Sequence, residues 1–195
     1  MTTVSQQSPF GKALGEATQL LESLRSLEPQ LEQTAESCIQ CLEQGHKILV
    51  CGNGGSASEA QHFVGELMGR YIGNRQSLAA VALNADSTTL SCIANDYCFE
   101  EVFSRQVRGL GRTGDVLVVF STSGNSSNII RALESARTSK IKSFAFLGGK
   151  GGLAAPLADC SLIVQHAQTA RIQEGHQFLM HALMDYIESK QTHEQ

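Results

Sequence analysis

Five short apolar runs decide what this chain can become: "KILVCG" (47–52), "LAAVAL" (78–83), "DVLVVFS" (115–121), "KSFAFLG" (142–148) and "CSLIVQ" (160–165). Each is continuous rather than alternating, and each is bounded by turn residues. A strand buried on both faces reads this way, and parallel strands need helical crossovers between them. Helical periodicity fills most of the intervals, over 57–72, about 87–110 and 126–139. The pattern predicts a three-layer α/β/α domain with a five-stranded parallel, flavodoxin-like sheet. Ahead of it, Leu14, Ala17, Leu20, Leu21 and Leu24 recur at helical spacing between Lys12 and Leu27. Leu31, Ala35, Cys38, Ile39 and Leu42 do the same from Pro29 to Gly45, so an N-terminal helical hairpin is predicted. A last amphipathic helix spans about Ala170 to Ser189, and residues 1–9 are expected to be loose. The whole chain, 1–195, reads as one domain, with helices in 1–45 and an α/β core in 46–189.

Composition narrows the function. With 42% hydrophobic residues the chain can bury a sizeable core. A net charge of −4 and a pI near 5.8 argue against a nucleic-acid surface. No apolar run is long enough to span a bilayer, and the first residues carry no apolar signal region. A cytoplasmic protein is expected, with Cys38, Cys41, Cys51, Cys92, Cys98 and Cys160 as buried thiols. Cys38 and Cys41 form a C-x-x-C, but it lies inside a helical pattern with no second pair, so no redox or zinc role is expected of it.

Two loops carry the first chemical signal. "GNGGSAS" follows the first strand and "STSGNSSN" the third. Glycines let backbone N–H groups approach a ligand, hydroxyls donate to it, and the helix that follows favours an anion. One such loop could be an ordinary helix cap. Two at the carboxyl ends of strands in one sheet point to a bound phosphate. Neither G-K-[ST] nor G-x-G-x-x-G is present, so the ligand is a small phosphorylated molecule rather than a nucleotide.

Two helices carry the second signal. Behind the first loop, Ala60, Phe63, Val64, Leu67 and Tyr71 form an apolar face, while Ser58, His62, Glu66 and Arg70 recur every four residues on another. On the last helix, Ile172, Phe178, Leu179, Ala182, Leu183 and Tyr186 are apolar. Gln173, Gln177 and His181 form a polar line there, with His176 and Glu174 nearby. A histidine and a glutamate four apart can share a metal or a proton, or simply face solvent. Spacing alone leaves open whether the two polar lines meet.

"CGNGGSASEAQHFVGEL", "FSRQVRGLGRTGDVLVVFSTSGNSSNI" and "RIQEGHQFLMHALMDYIE" resemble the sugar isomerase (SIS) domain, and more narrowly the phosphoheptose isomerases, from about residue 10 to 189. The resemblance implies conversion of sedoheptulose 7-phosphate to D-glycero-D-manno-heptose 7-phosphate, feeding heptose biosynthesis for lipopolysaccharide or other glycans. It implies that Asn53, Gly54, Gly55 and Ser56 of the first loop and Ser121, Thr122, Ser123 and Ser126 of the second bind substrate, with Asn95, Asp96, Glu66 and Gln173. His62, Glu66, Gln173 and His181 match positions that bind zinc, one ion per subunit, and Glu66 and His181 match the acid–base pair. A carboxylate held by zinc is a poor base, so the two roles of Glu66 compete. The resemblance further implies a homotetramer, with the N-terminal helices taking part in assembly.

Other readings compete with this one. Some relatives with this fold are adaptors that bind the bacterial replication initiator. That group lacks the glutamate found here as Glu66 and carries arginine where this chain has Ser123. A sugar-phosphate sensor would keep both loops without needing Glu66 and His181. An isomerase of a different phosphosugar fits the same motifs.

Overall fold

The computed structural model describes residues 8–190. Five parallel strands, β1 (Ile48–Gly52), β2 (Ala80–Ala82), β3 (Val116–Ser121), β4 (Lys142–Gly148) and β5 (Cys160–Val164), form one sheet in the order β2-β1-β3-β4-β5. The chain runs outward from β1 to β2, then crosses back to β3. The reversal of strand order therefore falls between β1 and β3, where open α/β sheets bind ligands.

Alternate residues of each strand serve opposite faces. Ile48, Val50, Val116, Val118, Phe120, Phe144 and Phe146 pack under one helical layer, formed by α1 (Pro9–Ser23), α2 (Glu28–Glu43), α3 (Gly55–Met68) and α7 (Thr169–Ser189). Leu49, Cys51, Leu117, Val119, Ala145 and Leu147 pack under the other, formed by α4 (Ser87–Asp96), α5 (Ser104–Leu110) and α6 (Ser127–Thr138). Burial on both sides is what made the runs continuous. α1 and α2, joined by a short 3-10 turn at Leu24–Leu27, both lie against α7.

Several expectations need correction. The single helix over 87–110 is two, α4 and α5, because Tyr97 leaves helical geometry at φ −127° and ψ −90°, Cys98 is extended, and a 3-10 turn covers Phe99–Glu101. The helix placed at 57–72 runs from Gly55 to Met68, so Tyr71 lies beyond its end. Phe178 and Leu14, assigned to apolar faces, are 49% and 52% exposed. The looseness expected of residues 1–9 falls mostly outside the described residues. Cys92 is exposed and Cys98 half-buried, both in the α4–α5 region where the chain turns at the surface, so only four of the six cysteines are buried as expected. Burial pushes the thiols of Cys38 and Cys51 far up and Cys41 to about 11, so the C-x-x-C holds neutral thiols.

Candidate active site

β1 ends at Gly52, and the chain turns through Asn53 and Gly54 directly into α3. Gly54 has φ +55°, a conformation that glycine adopts freely. β3 ends at Ser121, and Thr122 to Asn125 lead to Ser126 at the start of α6. Ser121 Oγ accepts from the Gly124 N–H at 3.1 Å, and Ser123 Oγ accepts from the Asn125 N–H at 3.1 Å. At Gly124 a Cβ would lie 2.0 Å from the Gly151 carbonyl oxygen, so the second loop can pass this close to the loop after β4 only with glycine there. No side chain caps α3 or α6, which leaves their first turns open to an anion. The two loops are joined as well as adjacent. Asn53 and Asn128, the latter in the first turn of α6, exchange reciprocal amide hydrogen bonds of 2.9 Å.

The polar lines of α3 and α7 meet. His62 Nε2 lies 2.8 Å from Glu66 Oε1 across one turn of α3. Gln177 Nε2, from α7, is 2.9 Å from His62 Nδ1 and 3.0 Å from His181 Nε2. The His62 and His181 rings stand edge to face with centroids 5.1 Å apart, and Tyr71 stacks on His181 at 5.8 Å. Ligand atoms of His62, Glu66 and His181 all fall within 4.8 Å of one another. Nitrogen and carboxylate donors in that number suit zinc with a position left open. Gln173, one turn nearer the start of α7, rests its amide on Gly55, where a Cβ would come 2.2 Å from Nε2. It thereby links α7 to the first loop.

Not every expected residue joins this assembly. Asn95 and Asp96 lie exposed at the end of α4, where Asn95 Nδ2 donates to Asp96 Oδ1 at 2.8 Å and Cys92 lies 3.5 Å from Asp96 Oδ2. Among the described residues, no hydrogen bond or ion pair ties them to either loop or to the histidines.

Several participants carried no assigned role in the sequence. Gln177 bridges the histidines. The guanidinium of Arg75 donates to the carbonyls of Glu66 (2.5 Å) and Leu67 (2.9 Å), holding the end of α3 that carries the glutamate. Beneath the site, Glu59 Oε2 lies 3.7 Å from Nδ1 of the fully buried His176, whose ring meets Phe120 and Phe146 edge-on. Asn128 and Arg75 had no periodic signal to betray them. Gln177 did, as a member of the α7 line.

Known proteins bear on this geometry. Residues 14–148 match the family model for the SIS domain. The phosphoheptose isomerase of Helicobacter pylori strain P12 is 49% identical over 174 residues, covering 89% of this chain and 91% of that protein. The chain belongs to the phosphoheptose isomerases of the SIS-domain family. A relative of the same name from Neisseria gonorrhoeae strain NCCP11945 is 52% identical over 166 residues, 84% of each protein. The solved structure of a phosphoheptose isomerase from Neisseria gonorrhoeae matches with a TM-score of 0.89 at 44% identity, over 95% of this chain and 100% of that one.

Proposed function

We propose that this SIS-domain isomerase interconverts sedoheptulose 7-phosphate and D-glycero-D-manno-heptose 7-phosphate. The observation that carries the reading is one juxtaposition. Two serine-rich loops at helix N-termini flank the strand reversal, and Glu66, His62 and His181 gather on the helices above. The loops supply N–H and hydroxyl donors for the phosphate through Ser56, Ser121, Thr122, Ser123 and Ser126, with Asn53 and the backbone of Gly54 and Gly55 beside them. Anchoring the phosphate fixes where the other end of an open-chain sugar lies.

Ketose–aldose isomerisation removes a proton from C1, passes through a cis-enediol and returns a proton at C2. Glu66 is the base that carries the proton between the two carbons. His181 manages the hydroxyl protons and assists ring opening. Gln173, resting on Gly55, spans the distance between the phosphate end and the reacting end. Asn53 and Asp96 are assigned to the open-chain sugar, and Asn95 to the substrate, on the resemblance alone.

The donor set of His62, Glu66 and His181 fits a zinc ion, with Gln173 as the fourth ligand in this proposal. When bound, one ion per subunit would polarise the carbonyl and stabilise developing negative charge.

We further infer a single domain that assembles as a homotetramer in the cytoplasm. Phe10 is 65% exposed, Leu21 40% and Phe178 49%, and a groove lined by Leu21, Leu24, Leu31, Phe178, Leu179 and Tyr186 runs between the N-terminal helices and α7. Apolar exposure on that scale supports assembly through residues 1–45. No helix among the described residues is long and apolar enough to cross a membrane.

Incubation with sedoheptulose 7-phosphate and chromatographic separation of the sugar phosphates tests the substrate. Appearance of the heptose aldose supports it. Turnover of another ketose phosphate, with sedoheptulose 7-phosphate untouched, would reassign it.

A further inference from the structure

The connection between the two histidines is peculiar for a metal site, because a third side chain already occupies it. Glu66, as a carboxylate, can only accept, so the 2.8 Å contact from His62 Nε2 requires a proton on that nitrogen. In the neutral ring Nδ1 is then a bare acceptor, and it faces Gln177 Nε2 at 2.9 Å. An amide nitrogen is a pure donor with two hydrogens. Its second partner, 3.0 Å away, is His181 Nε2, which must therefore also be bare, with the His181 proton on Nδ1. One assignment satisfies all three contacts: Gln177 donates to both histidines, and His62 donates to Glu66.

We propose that Gln177 is a built-in competitor for the ion at this cluster, and so sets how tightly the metal is held. The inference rests on the zinc reading above. The His181 lone pair at Nε2 is engaged by the amide. On His62, Nδ1 is engaged by the same amide and Nε2 carries the proton given to Glu66. Whichever His62 nitrogen serves as ligand, an ion gripped by all three residues displaces a hydrogen bond of this network. Gln177 is half-buried and sits one turn before His181 on α7. The consequence is a site where an incoming ion and the Gln177 amide contend for the same histidine nitrogens.

The test is the zinc affinity of the metal-stripped full chain, measured by competition with a chromophoric chelator. It compares the unmodified protein with Gln177→Leu and Gln177→Asn. Leucine fills the space without donating, and asparagine keeps the amide but is too short to bridge both rings. Each replaces two neutral hydrogen bonds whose loss is partly recovered in water, so both variants should bind zinc about tenfold more tightly (about 1.4 kcal/mol). Nitrogen NMR of the stripped protein gives a second readout, with His62 protonated on Nε2 and His181 on Nδ1. Variants binding zinc no more tightly than the unmodified chain would overturn the inference while leaving the zinc site standing. Weaker binding would make Gln177 a ligand or a brace rather than a competitor, and would overturn it too. If none of the three proteins binds zinc, the zinc reading itself fails.

Discussion

Arg75→Met should cost this protein several kilocalories per mole and disturb its chemistry, although Arg75 belongs to neither loop. The guanidinium is buried, with 7% of the residue exposed. It donates to the carbonyls of Glu66 at 2.5 Å, Leu67 at 2.9 Å and Gln76 at 3.0 Å, and Nε lies 3.7 Å from Glu188 Oε1 on α7. Glu188 in turn accepts from the backbone N–H groups of Ile72 (3.1 Å) and Gly73 (3.2 Å). The pair thus closes the end of α3, where helix carbonyls lack partners, and fastens the following segment to α7. Methionine preserves length and packing but takes the Arg75 donor from the Glu66 carbonyl and leaves the Glu188 carboxylate without a counter-charge, whereas the Leu67 carbonyl keeps the Leu78 N–H at 3.0 Å. Breaking one side of a buried pair costs about 3–5 kcal/mol. The two N–H groups still serving Glu188 place the loss near the lower end, about 3 kcal/mol. For a chain of this size that is a fall in Tm of about 6–12 °C. Urea unfolding at fixed protein concentration measures it, with Glu188→Leu and the double mutant completing a cycle. The double mutant should lose less than the sum of the singles. Because Arg75 holds the main chain of Glu66 while the loop proposed to bind phosphate lies at the other end of α3, kcat should fall about tenfold or more with little change in KM. A stability loss below about 1 kcal/mol, or strictly additive single mutants, would refute the reasoning.

Other outcomes follow from the same structure. Gly55→Ala places a Cβ 2.2 Å from Gln173 Nε2, the mobile tip of a side chain, so stability should change by less than about 1 kcal/mol while isomerase activity falls about tenfold or more; unchanged activity would remove Gln173 from the site. Hydrogen bonds from Ser104, then Arg108 and Arg131, lower the Glu101 carboxyl from 4.5 to about 2. A carboxylate depressed by folding adds stability above its ordinary pKa that is lost as pH falls through the folded one, so unfolding curves of Glu101→Gln should be less acid-sensitive between those two values. Cys38 and Cys51, fully buried with raised pKa values, should react with Ellman's reagent only after unfolding; rapid native-state labelling at either would contradict their burial.

How much could be read beforehand depended on whether a signal was local. The strands were legible because both faces of the sheet are covered, which writes burial directly into sequence as unbroken apolar runs. The two glycine- and serine-rich loops were legible as strand-to-helix turns because glycine and serine cluster where each strand's apolar run stops. The break between α4 and α5 was not, since Tyr97, Cys98 and Phe99 continue the apolar pattern through a turn. Tyr97 faces outward there with the Arg105 guanidinium 3.7 Å from its ring centroid, a contact made after the chain has turned. The end of α3 at Met68 was hidden for a related reason, because the groups that close it, Arg75 and Glu188, come from outside the helix. Phe178 keeps helical spacing with buried neighbours yet lies on the groove side of α7, and periodicity does not distinguish a core from an exposed apolar surface. In the site, the four-residue recurrence of His62 and Glu66 and the line of Gln173, Gln177 and His181 were visible. Their meeting was not, because the packing of α7 on α3 is a property of the whole fold. Asn128, which ties the second helix to the first loop, gave no signal of its own.

The central claim is that Glu66 shuttles a proton between two carbons of a phosphorylated ketose. Proton NMR of sedoheptulose 7-phosphate in D2O, with the unmodified protein and with Glu66→Gln, tests it most directly. The account predicts new aldose signals with deuterium at C2, and neither aldose nor exchange at C1 in a Glu66→Gln protein that still folds and still binds phosphate. Undiminished isomerisation by that variant would contradict it, and so would an unmodified protein that produces neither aldose nor exchange.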